Sequence, residues 1–156
     1  MNRHIDDNYW IKMVDQVAEA STCRVKVGCV IIYNKEIMAT GFVGSISGDY
    51  HCEDIGCLFI DNHGEFGSGQ SQSCIRTSHA EMNAVFKCMK RGSIKDGWLI
   101  SYSTFSPCLH CFHALLSIGV RTFIFKTEYK DLTRQLCHSH LHTEIDSLII
   151  FKQISK

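Results

Sequence analysis

The chain has 156 residues, 45% of them hydrophobic and 21% charged, and its 16 Lys and Arg balance 16 Asp and Glu. These are values for one compact globular domain, expected to take in all of residues 1–156. Zero formal charge lacks the basic surplus typical of proteins that grip long nucleic acid, and no stretch nears the roughly 20 apolar residues that span a bilayer. Met1 to Tyr9 is polar and charged, unlike a secretory leader, so a cytoplasmic location is expected. Nine cysteines then sit in a reducing compartment, where stable disulfides are rare, and an odd number argues against a closed disulfide framework. Buried small side chains and metal ligands remain as their roles.

In chain order, Asp6 to Ala20 spaces Ile11, Met13, Val14, Val17 and Ala18 as a helix does. Val25 to Tyr33 is rich in β-branched residues, Asn34-Lys35 reads as a tight turn, and Glu36 to Gly41 as the returning strand of a hairpin. Gly44 to Gln72 is a long glycine-bearing loop, which inside a compact domain implies a lid or a metal clip. Ser78 to Lys90 is helical and stops at Gly92. Trp98 to Tyr102 is a strand, Pro107 to Ile118 a helix closed by Gly119, and Thr122 to Phe125 a strand. Lys130 to Cys137 reads as a short helix and Leu148 to Phe151 as a last strand. Together these give an α/β sandwich around a mixed sheet, with helices on both faces.

Two segments carry chemistry. Ser106 can cap a helix whose first turn takes Pro107, the only proline, and places Cys108 and Cys111 on one face. Thiol pKa falls at a helix N-terminus, and a metal needs thiolate. His79 opens the earlier helix, where Ser78 and Glu81 have capping-box spacing. One His and two Cys hold zinc with the fourth tetrahedral position open to water, the mark of a catalytic site. Zinc lowers the pKa of that water towards neutrality, and Glu81 is placed to take and deliver its proton. Each motif alone has an ordinary reading, as a structural zinc knuckle, a redox pair or a helix cap.

Taken together, His79-x-Glu81 and Pro107-Cys108-x-x-Cys111, about 27 residues later with a strand between, form the signature of zinc nucleobase deaminases. From Tyr9 to Tyr129 the sequence resembles the cytidine and deoxycytidylate deaminase superfamily, and most closely deoxycytidylate deaminases of bacterial and phage type. The likeness runs through Ser21-Thr22-Cys23, Lys26-Val27-Gly28, Ala39 to Ser45, His51-Cys52, Gly56-Cys57, Cys74-Ile75-Arg76, His79 to Ala84 and Ser106 to Cys111. It implies a three-layer α/β/α sandwich around a five-stranded mixed sheet, and hydrolysis of dCMP to dUMP and ammonia. Zinc on His79, Cys108 and Cys111 would present hydroxide to C4 of cytosine, with Glu81 protonating N3 and then the leaving amino group. The Ala80 N–H would bind O2 of the base, and the Ser106 carbonyl would receive the amino group.

Arg24, Lys26 and Tyr129 are candidates for the 5′-phosphate. The resemblance also implies a homohexamer, activation by dCTP with Mg²⁺ and inhibition by dTTP, although Val43 stands where the family usually has Asn. Cys23, Cys52, Cys57 and Cys74 have the makings of a second, closed zinc site clipping the long loop, with His51 or His63 able to replace one of them. Cys29 and Cys88 read as core residues, and His110 and His113 as surface or supporting residues. His138, His140 and His142 read as a polar surface segment. Two alternatives stay open: a deaminase of tRNA adenosine or single-stranded nucleic acid, which needs a basic, aromatic-lined channel, and a zinc-stabilised nucleotide-binding module without turnover.

Overall fold

A computed structural model describes residues 5–58, 74–92, 98–129 and 149–154. The chain opens with helix α1 (Asp7–Glu19), started by Asp6, whose side chain accepts the Tyr9 N–H at 2.9 Å. Strands β1 (Gly28–Tyr33) and β2 (Glu36–Phe42) form an antiparallel hairpin. Asn34 and Lys35 both have positive φ, 49° and 64°, the two-residue turn whose twist matches the paired strands. Next come a two-residue strand β3 (Gly44–Ser45), a single-turn helix α2 (Cys52–Ile55) and a two-residue strand β4 (Thr77–Ser78), paired antiparallel with β3. Helix α3 (Ala80–Lys90), strand β5 (Leu99–Phe105), helix α4 (Leu109–Ser117) and strand β6 (Val120–Thr127) follow. Strand β7 (Ile150–Gln153) ends the described chain.

The main sheet is five-stranded and mixed, in the order β2-β1-β5-β6-β7. β1 runs antiparallel to both neighbours, while β5, β6 and β7 are parallel. Side-chain alternation along β1 shows why helices must cover both faces. Cys29 and Ile31 point into a core shared with α3 and α4, through Ala84, Val85, Phe112 and Leu115. Val30 and Ile32 point the other way, against Trp10, Ile11 and Val14 of α1. The expected three-layer α/β/α sandwich is therefore the one observed.

Strands β5 and β6 run longer than their hydrophobic stretches suggest. Ser103 and Thr104 interrupt the apolar pattern, but their hydroxyls are satisfied locally: Ser103 donates to the Phe105 carbonyl at 2.6 Å, and Thr104 accepts the Gly28 N–H at 3.0 Å. The strand can thus continue to the edge of the cavity described below. The proposed helix Lys130 to Cys137, the residues His63, Cys137, His138, His140 and His142, and Leu148 of the last strand lie outside the described residues.

Two glycines set how closely the helices approach the sheet. A Cβ at Gly41 would collide with the Ala80 carbonyl oxygen and lie 2.5 Å from the Ala84 nitrogen. A Cβ at Gly28 would collide with the Val14 carbonyl oxygen and lie 2.9 Å from the Ala18 nitrogen. Both obstacles are backbone, which cannot swing aside as a side chain does. Gly41→Ala is therefore expected to cost about 1–3 kcal/mol of overpacking strain, read as a lower urea midpoint at unchanged slope. An unchanged midpoint would show that α3 is free to shift off the sheet.

Candidate metal centre and catalytic cavity

The first component of the site is His79, delivered by the small β3–β4 sheet. Gly44 pairs with Ser78, and the next residue, still extended at ψ 152°, is the N-cap of α3. Here the structure departs from the sequence reading: Ser78 is in the strand and no side chain caps the helix. The second component comes from the loop after β5. Ser106 was expected to cap α4 with Pro107 in its first turn, but the cap is Cys108 and the helix begins at Leu109. The Ser106 hydroxyl is committed elsewhere, accepting the Tyr129 N–H at 2.8 Å, while its own N–H donates to the Thr127 carbonyl at 2.9 Å. These two bonds tie the loop to the end of β6.

Two helix N-termini thus meet at one point. His79 Nδ1 lies 3.6 Å from Cys108 Sγ and 3.4 Å from Cys111 Sγ, and all three donor atoms fall within 4.8 Å of one another. With zinc bonds of about 2.0–2.1 Å to nitrogen and 2.3 Å to sulfur, a tetrahedral N···S edge is about 3.6 Å. The donor set fits zinc both chemically and in spacing.

The electrostatics favour metal binding. Cys108 is held well below the ordinary thiol range, first by the Cys111 thiol that hydrogen-bonds to it and also by His79 and the Cys111 backbone N–H. Cys111, the donor in that pair and itself buried, is pushed up. His79 is raised, chiefly by its bond to Cys108. Glu81, only 4% exposed, is raised to about 7 by burial, against the opposing pull of its own backbone N–H and of His79. A carboxyl poised near neutrality beside a metal site is suited to moving protons.

His79, Glu81 and Cys108 line a cavity of about 450 Å³, in the range that holds a small organic ligand. His79, Ala80, Glu81, Ser106 and Cys108 form its floor, and Arg24 and Tyr129 also line it. Lys26 does not; its ammonium pairs with the exposed Glu19 carboxylate at 2.9 Å on the surface. Sequence reasoning missed Phe105, Val25, Val27 and Thr77, which complete much of the wall. Only Phe105 had a signal, its place just before Ser106. Val43 is on the wall too, with its backbone fixed: its N–H donates to the Val27 carbonyl at 2.9 Å and its carbonyl accepts from Ser21 Oγ at 2.7 Å. Asn83, on α3, donates to the neighbouring Phe42 carbonyl at 2.8 Å.

Of the second cysteine set, Cys52, Cys57 and Cys74 bring their sulfurs within 4.8 Å of one another, Cys52 and Cys74 being 3.7 Å apart. That matches the tetrahedral S···S edge of about 3.8 Å around zinc. Cys23 lies near enough for its charge to help raise Cys52, whose thiol burial pushes up to about 12. Burial opposes the thiolate at Cys74 as well, but N–H groups of Leu58 and Arg76 bond to its sulfur and bring it below the ordinary value. Cys29 and Cys88 are buried in the core, and His110 and His113 are exposed. His51 Nδ1 is 3.2 Å from Thr22 Oγ1.

The profile of the cytidine and deoxycytidylate deaminase zinc-binding region matches residues 4–127. This chain belongs to that family. Among relatives of the deaminase domain, ComE operon protein 2 of Bacillus subtilis is 36% identical over 96% of this chain and 77% of its own length. The deoxycytidylate deaminase of Schizosaccharomyces pombe is 27% identical over 79% of this chain, which spans only 37% of that protein. The crystal structure of dCMP deaminase from the cyanophage S-TIM5, in complex with dCMP and dUMP, shares the fold, with a TM-score of 0.70 at 22% identity over 97% of this chain and all of that one. Family membership and the His79-Cys108-Cys111 donors agree on zinc as the metal. Cys111→Ser is expected to lower the zinc content of purified protein by about one per chain. Unchanged content would place the metal elsewhere.

Proposed function

We propose that this chain is a zinc-dependent deaminase that converts dCMP and water to dUMP and ammonia, its whole length forming one catalytic domain. The observation that carries the reading is the buried Glu81 carboxyl beside the His79, Cys108 and Cys111 donors, at a cavity of ligand size. The named deoxycytidylate deaminases among its relatives support dCMP as the substrate.

His79 and the two thiolates are the metal's ligands in this reading, and the chemistry zinc supplies is the acidification of a water in the open fourth position. Glu81 accepts that water's proton and passes it to N3 of the cytosine. It then carries the water's second proton to the exocyclic amino group, so that ammonia leaves and the oxygen stays at C4. The Ala80 N–H holds O2 of the base and the Ser106 carbonyl receives the amino group, which orients C4 towards the floor. Arg24, which lines the cavity whereas Lys26 does not, meets the 5′-phosphate and Tyr129 flanks it.

The family resemblance extends the proposal to a cytoplasmic homohexamer, activated by dCTP with Mg²⁺ and inhibited by dTTP. Cys23, Cys52, Cys57 and Cys74 hold a second, structural zinc in the same reading, with the short Cys52–Cys74 separation in support.

Loss of cytosine absorbance on incubation with dCMP, and not with a cytosine-bearing oligonucleotide, is the expected result. Turnover of the oligonucleotide alone would replace the substrate class. Glu81→Gln is expected to keep its zinc and lose about 10²–10⁴-fold in kcat; near-normal turnover would remove Glu81 from the proton path. Arg24→Ala is expected to raise KM for dCMP about tenfold or more and to leave deoxycytidine, which has no phosphate, unaffected. Equal losses on both would mean that Arg24 supports the fold instead.

A further inference from the structure

The cavity that holds His79 and Glu81 has thiols built into its wall. Cys23, Cys57 and Cys74 all line it, whereas Cys52, the remaining member of the cysteine set, does not. Cys52 is buried behind the wall, with its sulfur 3.7 Å from that of Cys74. Cys52, Cys57 and Cys74 therefore join the turn of α2 to the approach to β4, and two of them, with Cys23 from the segment before β1, face the cavity.

Among the described residues, few other contacts hold these segments in place. Ile46, Tyr50, Ile55 and Ile75 are exposed by 69%, 69%, 49% and 49%, so apolar burial contributes little to anchoring the wall. The β3–β4 pairing is two residues long and α2 is a single turn, neither stable by itself. The other ties among the described residues include Ile75 N–H to the Leu58 carbonyl at 2.9 Å, Leu58 N–H to Cys74 Sγ at 3.2 Å, Cys23 N–H to Ser21 Oγ at 3.1 Å, Thr22 Oγ1 with His51 Nδ1 at 3.2 Å, and the Arg76–Asp49 ion pair at 3.7 Å, each a single polar contact. Ser21 in turn donates to the Val43 carbonyl, so the position of Cys23 is coupled to the opposite part of the wall.

We propose that the metal held by Cys52, Cys57 and Cys74, with Cys23 beside them, shapes the nucleotide-binding wall of the catalytic cavity, so that metal and nucleotide each strengthen the other's binding. The proposal rests on the nucleotide-site and second-metal readings above and adds the coupling between them. Coupling of this kind is reciprocal: whatever factor the metal contributes to nucleotide affinity, the nucleotide returns to metal affinity.

The test uses dUMP as the probe and zinc-replete protein. Cys52→Ala removes a thiol that does not face the cavity, and it is expected to lose about one zinc per chain while the dissociation constant for dUMP, measured by calorimetry, rises about tenfold or more. In the unmodified protein, saturating dUMP is expected to slow zinc transfer from the cysteine set to a chromogenic chelator. This second arm needs no variant and stands even where Cys52→Ala fails to fold. Zinc loss with unchanged dUMP affinity, or chelation rates indifferent to dUMP, overturns the coupling and leaves the second-metal reading standing. Unchanged zinc in Cys52→Ala overturns that reading and this proposal together. A dUMP effect confined to Cys57→Ala and Cys74→Ala would assign the wall to direct thiol contacts and overturn the role of the metal. Absence of dUMP binding by unmodified protein would strike instead at the proposed substrate.

Discussion

Three donor atoms from two distant parts of the chain must converge on a single point while leaving one side of it open. His79 and Cys108 are each the residue at which a strand or loop turns into a helix, and Cys111 stands three residues into the second helix. A helix start suits this task for two reasons. The unpaired N–H groups and the dipole stabilise thiolate, and the cap residues His79 and Cys108 make no side-chain capping bond that would compete with a metal. Convergence of α3 and α4 on one face of the sheet therefore creates the donor geometry, and the thiolates stabilised there supply the negative charge that a cation requires.

That convergence depends on how tightly α3 is pressed to the hairpin. Gly41 admits the Ala80 carbonyl to a distance that no side chain would tolerate, and Asn83 holds the adjoining Phe42 carbonyl. The same contact buries Glu81, and burial is the largest cause of its raised pKa. Stability and chemistry thus share one contact: moving the helix away from the sheet would hydrate Glu81 as well as displace His79. Another part of the cavity wall is built differently, from short elements with exposed apolar side chains and a set of thiols, and the proposal that a metal orders it starts from that contrast.

The residues of the metal centre were legible because their signal is local. His-x-Glu and Pro-Cys-x-x-Cys each lie within one turn of a helix start, and the hairpin was legible through Asn34-Lys35 and the β-branched run before it. The cap positions were misread because Ser78 and Ser106 have the right chemistry but stronger claims elsewhere, one in a strand pair and the other with the Tyr129 N–H. Strands β3 and β4 are too short to leave a periodic pattern. Lys26 and Arg24 are two residues apart and look alike as phosphate candidates, and only tertiary placement separates a cavity residue from one paired with Glu19. The valines of the wall carried no sequence signal either, since apolar residues in extended segments are indistinguishable from core until the fold is known.

The central claim is a zinc ion with three protein ligands and an open fourth position facing Glu81. Anomalous diffraction at the zinc edge, on crystals of the zinc-replete protein, tests it directly. A peak is expected within bonding distance of His79 Nδ1, Cys108 Sγ and Cys111 Sγ, with no fourth protein donor. A fourth side chain closing the site, or no peak between these three residues, would contradict it.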